Sequence, residues 1–200
     1  EEVRRNLSSR MVGYHEIPTD DPCTKAAVVQ LAFPIKAWGN NVPMMLLAVA
    51  GNCFAYSKNI LLTDLFVGKE LLKTFQGPTF GVQGIRDATG VQGRPLSLHI
   101  IKPKMGMTPA QTANQVRQTV EGGADMCKDD EMTADVYNSR MEDRLKAVMD
   151  VINRHADKTG KRMIYLCSIT DEPGKMLDKA RRAVDLGANG LLVAYSAGLG

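Results

Sequence analysis

The chain has 200 residues, 44% of them hydrophobic and 24% charged, which is ordinary for a globular protein and enough for a sizeable core. Its net charge of +3, with the basic residues spread along the chain, argues against nucleic-acid binding. No apolar run approaches the roughly 18 residues of a membrane span, and the first residues lack the order of a signal peptide. The four cysteines are far apart, as in proteins with reduced thiols, so we predict a cytoplasmic protein with neither nucleic-acid nor membrane partners.

The first segment, residues 1–77, is predicted to form a small α+β domain. Its predicted elements are a strand over 28–33, a helix over 42–50, a strand over 61–67 and a short helix over 68–75. The longer helix has the clearest signals, because Pro43 lies in its first turn and Gly51 follows its last residue. Residues 76–78 are predicted to lead into a second domain over 78–200.

The second segment alternates strands with helices. The predicted strands are Leu98–Lys102, Asp125–Asp129, Met163–Ile169 and Gly190–Ala194, and the predicted helices cover approximately 108–121, 139–158 and 173–186. Hydrophobic residues recur at helical spacing in the second of these helices, as expected for a helix that packs on a sheet. A strand, a helix and a strand within about 35 residues form a crossover unit, so the pattern predicts an α/β fold with parallel strands.

Two short charged motifs follow the first two strands of this segment. Residues 102–104 are Lys-Pro-Lys, and residues 128–131 are Lys-Asp-Asp-Glu. The carboxyl ends of neighbouring parallel strands meet at one edge of a sheet, where α/β folds place their chemistry, so we expect the two motifs to lie together. Either motif alone is typical of a solvated charged turn. Their pairing favours a functional site.

The motif at 128–131 suits a divalent cation. Side chains alternate along a strand, so Lys128 and Asp130 are expected to face one side and Asp129 the other, with Glu131 turning back toward the first two. Two carboxylates favour magnesium, which prefers oxygen ligands in octahedral geometry and retains several waters. Asp130 and Glu131 are therefore candidate magnesium ligands.

A lysine beside a cation site requires an explanation, because an ammonium group repels a metal ion. We expect Lys102 and Lys104 to lower the pKa of Lys128 through like-charge repulsion. The neutral amine can add carbon dioxide, and the resulting carbamate would be a third oxygen ligand. The pattern therefore predicts a magnesium ion held by Asp130, Glu131 and carbamylated Lys128.

These motifs belong to a longer series with the same order and spacing as in the large subunit of ribulose-bisphosphate carboxylase (RuBisCO) and in RuBisCO-like proteins. The chain resembles this family at 51–52, 73–78, 93–96, 101–106, 122–125 and 128–131. The resemblance implies a ferredoxin-like N-terminal α+β domain over 1–77, followed by the first half of a (β/α)8 TIM barrel over 78–200. A complete barrel requires roughly 250 residues, so we expect the chain to be a fragment that also lacks the start of its first domain.

The resemblance also implies a role for each candidate site residue. Lys128 matches the carbamylated lysine, and Asp130 and Glu131 match the two carboxylates that share magnesium with it. Lys102 matches the lysine that manages the proton at the reacting carbon of the substrate, and Lys104 matches its supporting partner. Both of these lysines are therefore predicted to contact a small phosphorylated substrate.

Asn52 matches an amide that the first domain of one subunit inserts into the active site of its neighbour. The resemblance therefore implies a substrate-binding role for Asn52. It also implies an obligate homodimer or a higher homo-oligomer, because residues from two subunits would complete each active site.

Three departures from the carboxylating members of the family concern the reaction. Ile100 stands where they carry threonine, Met132 where they usually carry asparagine, and residues 194–199 where they show a His-Asp-Tyr segment. These differences favour magnesium-dependent enolisation of a phosphorylated ketose or diketo substrate by a RuBisCO-like (type IV) protein. The alternatives are ribulose-1,5-bisphosphate carboxylation, a non-catalytic regulatory paralogue, and an aldolase that uses Lys102 as a Schiff base.

Two further polar positions are predicted to be structural. Asp171 and Glu172 follow the third strand and could join the site, but Pro173 after them favours the start of a helix. His99 is offset by three positions from Lys102 on the first strand, so we expect it to face the helices.

Overall fold

The computed structural model of the chain describes residues 1–51, 57–133 and 135–197. The residues form two compact units, Glu1–Gly77 and Pro78–Leu199. Within the described residues, no helix is long and apolar enough to cross a membrane. The finer assignment, a ferredoxin-like domain followed by half of a TIM barrel, stays a prediction.

The first unit contains an antiparallel strand pair and several short helices. Strand β1 (Arg10–Ile17) pairs with β2 (Ala26–Ala32). The helices are α1 (Glu2–Asn6), a 3-10 turn (Ile35–Ala37), α2 (Val42–Ala50) and α3 (Lys69–Leu72). The Asn41 side chain caps α2, because its oxygen accepts a hydrogen bond from the Met44 N–H at 3.0 Å.

Three of the elements predicted for this unit are confirmed: the strand as β2, the longer helix as α2, and the short helix as the briefer α3. The predicted strand over 61–67 is wrong, since this segment has no regular secondary structure and its Leu61 and Phe66 side chains are exposed. An apolar run forms a strand only where a neighbour satisfies its backbone hydrogen bonds. The sequence prediction also lacked β1, whose mixture of polar and apolar residues does not alternate clearly.

The second unit is built on a four-stranded parallel sheet in the order β3-β4-β5-β6. The strands are β3 (Leu98–Ile100), β4 (Met126–Lys128), β5 (Ile164–Ser168) and β6 (Leu191–Leu192). Helix α4 (Gly81–Thr89) precedes the sheet, and α5 (Pro109–Glu121), α6 (Met141–Thr159) and α7 (Pro173–Asp185) connect its strands. The predicted parallel α/β arrangement is confirmed, with strands shorter than predicted; α4 was not predicted.

Local signals set where helix α5 begins and ends. Thr108 and Gln111 form a capping box, and Pro109 occupies the first helical position. After the helix, Gly123 adopts a φ of 82°, a conformation that favours glycine, and the chain turns into β4. The crossover therefore returns the chain parallel to β3, so the carboxyl ends of β3 and β4 lie at one edge.

The core of this unit lies between the sheet and its helices. Residues from both layers are fully buried there: Val116, Leu145, Val148, Ile152, Cys127, Tyr165 and Cys167. Side chains alternate along each strand, so Lys128 faces away from the helix-covered side to which Cys127 points.

Candidate active site

The two charged motifs meet at the carboxyl ends of β3 and β4, as predicted. The ammonium group of Lys102 forms an ion pair with the carboxylate of Asp130. The Asp130 side chain is only 4% exposed, whereas that of Lys102 is 60% exposed. The second carboxylate oxygen of Asp130 accepts the Met132 N–H at 2.9 Å, which holds the carboxylate in one orientation.

Lys128 lies beside this pair, and its amine contacts two oxygen atoms. Its Nζ is 3.1 Å from Oε1 of Glu131 and donates a hydrogen bond to the Asp129 carbonyl at 3.2 Å. The Lys128 side chain is 10% exposed and that of Glu131 is 51% exposed. Glu131 therefore turns back toward Lys128, as the sequence predicts.

Lys104 takes a different place from its two neighbouring lysines. Its Nζ contacts the sulfur of Met132 at 3.2 Å, and the side chain is exposed. We expected Lys102 and Lys104 to surround Lys128 with positive charge. The structure instead places carboxylates next to Lys102 and Lys128, because opposite charges on adjacent strand ends attract.

The ion pairs set the pKa values at this edge of the sheet. The hydrogen bond from Lys102 lowers the pKa of Asp130, and the same bond raises the pKa of Lys102. The pKa of Glu131 is lowered by a hydrogen bond from its own backbone and by Lys128. The attraction of Asp130 raises the pKa of Lys102 more than burial lowers it, so the net shift is upward.

Asp129 points to the opposite side from Lys128, as predicted, and is almost completely buried. Its carboxylate accepts hydrogen bonds from Tyr165 Oη at 2.6 Å, the Ser168 N–H at 2.9 Å and Arg144 Nε at 3.2 Å. The sequence analysis missed Arg144 and Tyr165. The available signal was a charged residue, Arg144, inside the apolar stripe of helix α6.

The other polar residues at this edge have structural partners. Asp171 accepts a hydrogen bond from Lys179, at 2.7 Å, and Glu172 immediately precedes helix α7. The prediction that these two carboxylates begin a helix is confirmed. His99 contacts the Thr119 hydroxyl of helix α5 at 2.8 Å, which confirms that it faces the helices.

Two of the residues singled out from the sequence need separate mention. Asn52 lies outside the described residues, so its predicted position at a subunit interface stays a prediction. Ile100 is half-buried and pairs with Lys128 across the two strands. The apolar side chain that replaces the threonine of carboxylating members is therefore next to the predicted carbamate position.

A modified lysine would complete a donor set for a magnesium ion at this site. Within the described ranges, no group of three or more His, Cys, Asp and Glu side chains is placed to hold a metal ion. Lys128 with Asp130 and Glu131 would supply three oxygen ligands once the lysine carries a carbamate. In the structure, the positive charges of Lys102 and Lys128 balance the negative charges of Asp130 and Glu131. With a carbamate on Lys128, the three negative charges would be balanced by a divalent cation and Lys102.

The chain is similar to proteins of the ribulose-bisphosphate carboxylase family. The sequence model of the family described as "Ribulose bisphosphate carboxylase large chain, catalytic domain" matches residues 81–200. A RuBisCO-like protein from Archaeoglobus fulgidus is 37% identical, with coverage of 98% of this chain and 46% of the relative. RuBisCO from Methanosarcina barkeri is 39% identical, with coverage of 74% and 36%.

An enolase is among the relatives as well. The 2,3-diketo-5-methylthiopentyl-1-phosphate enolase of Geobacillus thermodenitrificans is 31% identical, with coverage of 96% of this chain and 48% of the relative. Among solved structures, a dimeric archaeal RuBisCO from Hyperthermus butylicus has a TM-score of 0.85 at 29% identity, with coverage of 99% of this chain and 46% of that structure. The chain spans about half the length of these relatives.

Proposed function

Because the chain belongs to the ribulose-bisphosphate carboxylase large-chain family, we propose that it is part of a RuBisCO-like enzyme that catalyses magnesium-dependent enolisation. The substrate is a phosphorylated ketose or a diketo compound. The observation that carries the proposal is the juxtaposition of two ion pairs, Lys102 with Asp130 and Lys128 with Glu131, at the carboxyl ends of adjacent parallel strands. The similarity to a diketo phosphate enolase supports this choice of reaction.

The metal site is proposed to form after carbon dioxide adds to Lys128. Lys128 first gives up its ammonium proton to solvent; its neutral amine then attacks the carbon of carbon dioxide and releases a second proton to solvent. The resulting carbamate would join Asp130 and Glu131 as an oxygen ligand. Magnesium bound there would act as a Lewis acid that stabilises negative charge on a substrate oxygen. The low exposure of Lys128 and Asp130 limits competition from bulk water.

Lys102 is proposed to move the proton at the reacting carbon. While it is paired with Asp130, its raised pKa keeps it protonated, so in that state it serves as a proton donor. It accepts a proton only when Asp130 has a different partner, because the ion pair is what holds the proton on its amine. Lys104, exposed on the same loop, is proposed to contact the substrate.

Carboxylation of ribulose-1,5-bisphosphate is the second candidate, favoured by the 39% identity to a methanosarcinal RuBisCO. Ile100 argues against it, because an apolar side chain beside Lys128 cannot replace the hydrogen bond of a threonine. An unpaired substrate oxygen there costs about 1–3 kcal/mol, which slows the reaction by roughly ten to a hundredfold. A non-catalytic paralogue is a further alternative, and it should show no magnesium binding that depends on bicarbonate.

A homodimer, or a higher homo-oligomer, is proposed as the active assembly, with Asn52 completing the site of a neighbouring subunit. The solved relative from Hyperthermus butylicus is dimeric, which supports this proposal. Mixing Asn52→Ala subunits with Lys128→Ala subunits tests it. Hybrid dimers should recover part of the activity, since one of their two sites carries neither substitution, and an active isolated monomer would contradict the proposal.

Deuterium release tests the reaction itself. The full-length protein is incubated with bicarbonate, magnesium and either ribulose bisphosphate deuterated at C3 or a deuterated diketo phosphate. Enolisation predicts exchange of deuterium into water without incorporation of labelled carbon dioxide, and Lys128→Ala should abolish it. Steady incorporation of labelled carbon dioxide into phosphoglycerate would establish the carboxylase instead.

A further inference from the structure

We propose that Asp129 is a positioning residue: held by Tyr165 and Arg144, it fixes the end of β4 so that Lys128 and Asp130 present their side chains to the candidate active site. The inference rests on the proposed function, because it concerns the same edge of the sheet. It assigns a role to a buried network that supplies none of the proposed metal ligands.

The first observation is how the pairing between β4 and β5 ends. The Asp129 N–H donates to the Leu166 carbonyl at 3.1 Å, as in a regular parallel ladder. The next N–H of β5 on the side facing β4, that of Ser168, donates to the Asp129 carboxylate at 2.9 Å. The Asp129 carbonyl accepts Lys128 Nζ at 3.2 Å. The Asp129 carboxylate thus takes the place of its own carbonyl in the hydrogen bond to Ser168. The Asp129 carbonyl instead accepts a hydrogen bond from the Lys128 amine, which the proposed function uses.

The second observation is that the carboxylate is held from several sides. Tyr165, from β5, donates to one oxygen at 2.6 Å, and Arg144, from α6, donates to the other at 3.2 Å. Arg144 is itself fixed by the carbonyl of Ser139 at 3.0 Å. Burial and the charge of Asp129 raise the pKa of Tyr165 well above its ordinary value, so its hydroxyl remains a donor. Groups from β5 and α6 therefore hold the Asp129 side chain in one position.

The consequence for the site follows from covalent geometry. Asp129 lies between Lys128 and Asp130 in the chain, so a shift of its backbone moves both neighbours together. Site residues work only when they are held within about 0.5 Å of the productive geometry. Partners behind a metal site typically change metal affinity by about 10–100-fold when they are removed. Asp129 is placed to have such an effect without contacting the substrate.

The same strand provides a matched control at its other end. Asp125, which immediately precedes β4, is also a buried carboxylate. Both of its oxygens accept hydrogen bonds from Arg94 at 2.7 Å, and one also accepts the Ser97 N–H at 2.8 Å. A variant at Asp125 therefore removes a buried carboxylate, with a more exposed arginine partner, from the amino end of β4, away from Lys128.

The experiment compares Asp129→Ala, Tyr165→Phe and Asp125→Ala with the parent in the full-length protein. The first measurement needs no metal: amide hydrogen exchange of Asp129 and Ser168, expressed relative to the core amide of Leu145. We expect about tenfold faster relative exchange in Asp129→Ala, a smaller increase in Tyr165→Phe, and no change in Asp125→Ala. If Asp129→Ala does not fold, the comparison of Tyr165→Phe with Asp125→Ala tests the inference instead.

The second measurement detects the carbamate of Lys128 by carbon-13 NMR with labelled bicarbonate. A magnesium titration then gives the magnesium concentration at which the carbamate is stabilised. Asp129→Ala should raise that concentration by about 10–100-fold, and Asp125→Ala should leave it unchanged. Equal behaviour of the Asp129 and Asp125 variants in both measurements would overturn the inference. A parent protein without any carbamate would refute the proposed function, and the exchange ratios would still decide the role of Asp129.

Discussion

Replacement of Arg144 by methionine tests the energetic role of the buried network. Arg144 and its partner Asp129 are each only 1% exposed, and Arg144 Nε donates to the carboxylate at 3.2 Å. Methionine keeps much of the volume but leaves the buried carboxylate without its counter-charge, with hydrogen bonds only from Tyr165 and Ser168. Loss of one partner from a buried ion pair costs about 3–5 kcal/mol. With a urea dependence of about 2 kcal/mol per molar, the unfolding midpoint should fall by roughly 1.5–2.5 M.

A double-mutant cycle separates this cost from a general packing effect. Asp129→Asn removes the negative charge with little change of shape, so Arg144→Met combined with it no longer leaves a buried charge. The double variant should therefore lose less stability than the sum of the two single variants, with a coupling of at least about 1 kcal/mol. Unfolding is followed by far-ultraviolet circular dichroism. Additive losses, or a loss below about 1 kcal/mol in Arg144→Met alone, would refute the reasoning.

Three further predictions concern single residues. Burial raises the pKa of Cys127 and of Cys167 to about 12, so at pH 8 their thiolate fraction is about a thousandfold below that of an ordinary thiol. Mass spectrometry after brief iodoacetamide treatment should therefore find Cys23 modified and these two cysteines intact. Rapid modification of Cys127 or Cys167 in the native protein would contradict this. Gly190→Ala should lower the free energy of unfolding by about 1–3 kcal/mol, because a Cβ there meets the Tyr165 carbonyl at 2.9 Å and Leu166 Cδ2 at 2.7 Å. An unchanged unfolding midpoint would argue against this close approach of β6 to β5. Lys102→Ala should slow deuterium release by about 10²–10⁴-fold while bicarbonate-dependent magnesium binding persists. Loss of magnesium binding in this variant would show that Lys102 supports the metal site and does not only move the proton.

The sequence predicts the sheet and the placement of the two motifs because both depend on local patterns. The strand preceding Lys102, the capped helix α5 and the strand preceding Asp129 are each indicated by their own residues. The rule that parallel strand ends share one edge then brings Lys102 and Asp130 together. No information from the rest of the chain is needed for that step.

The partners of these charges were harder to predict. Three lysines and the carboxylates of Asp130 and Glu131 allow several pairings. The pairing of Lys102 with Asp130 depends on side-chain directions that spacing does not give. For the same reason, the sequence did not show that Asp130 raises the pKa of Lys102. Lys104 was expected near Lys128, yet it contacts Met132.

Long-range contacts explain the remaining differences. Arg144 and Tyr165 reach Asp129 from a helix and a strand that are 15 and 36 residues away in the chain, so the sequence does not show that these residues meet. The segment 61–67 has the composition of a strand, but it lacks a strand partner among the described residues. Strand formation depends on such a partner more than on the segment itself.

The central claim is that Lys128, once carbamylated, joins Asp130 and Glu131 in a magnesium site. Isothermal titration of magnesium into the full-length protein, with and without bicarbonate, tests this claim most directly. The account predicts saturable binding that requires bicarbonate in the parent protein and is lost in Lys128→Met, a variant that keeps the length of the side chain but cannot form a carbamate. Binding that is unchanged by omission of bicarbonate, or that persists in Lys128→Met, would contradict it.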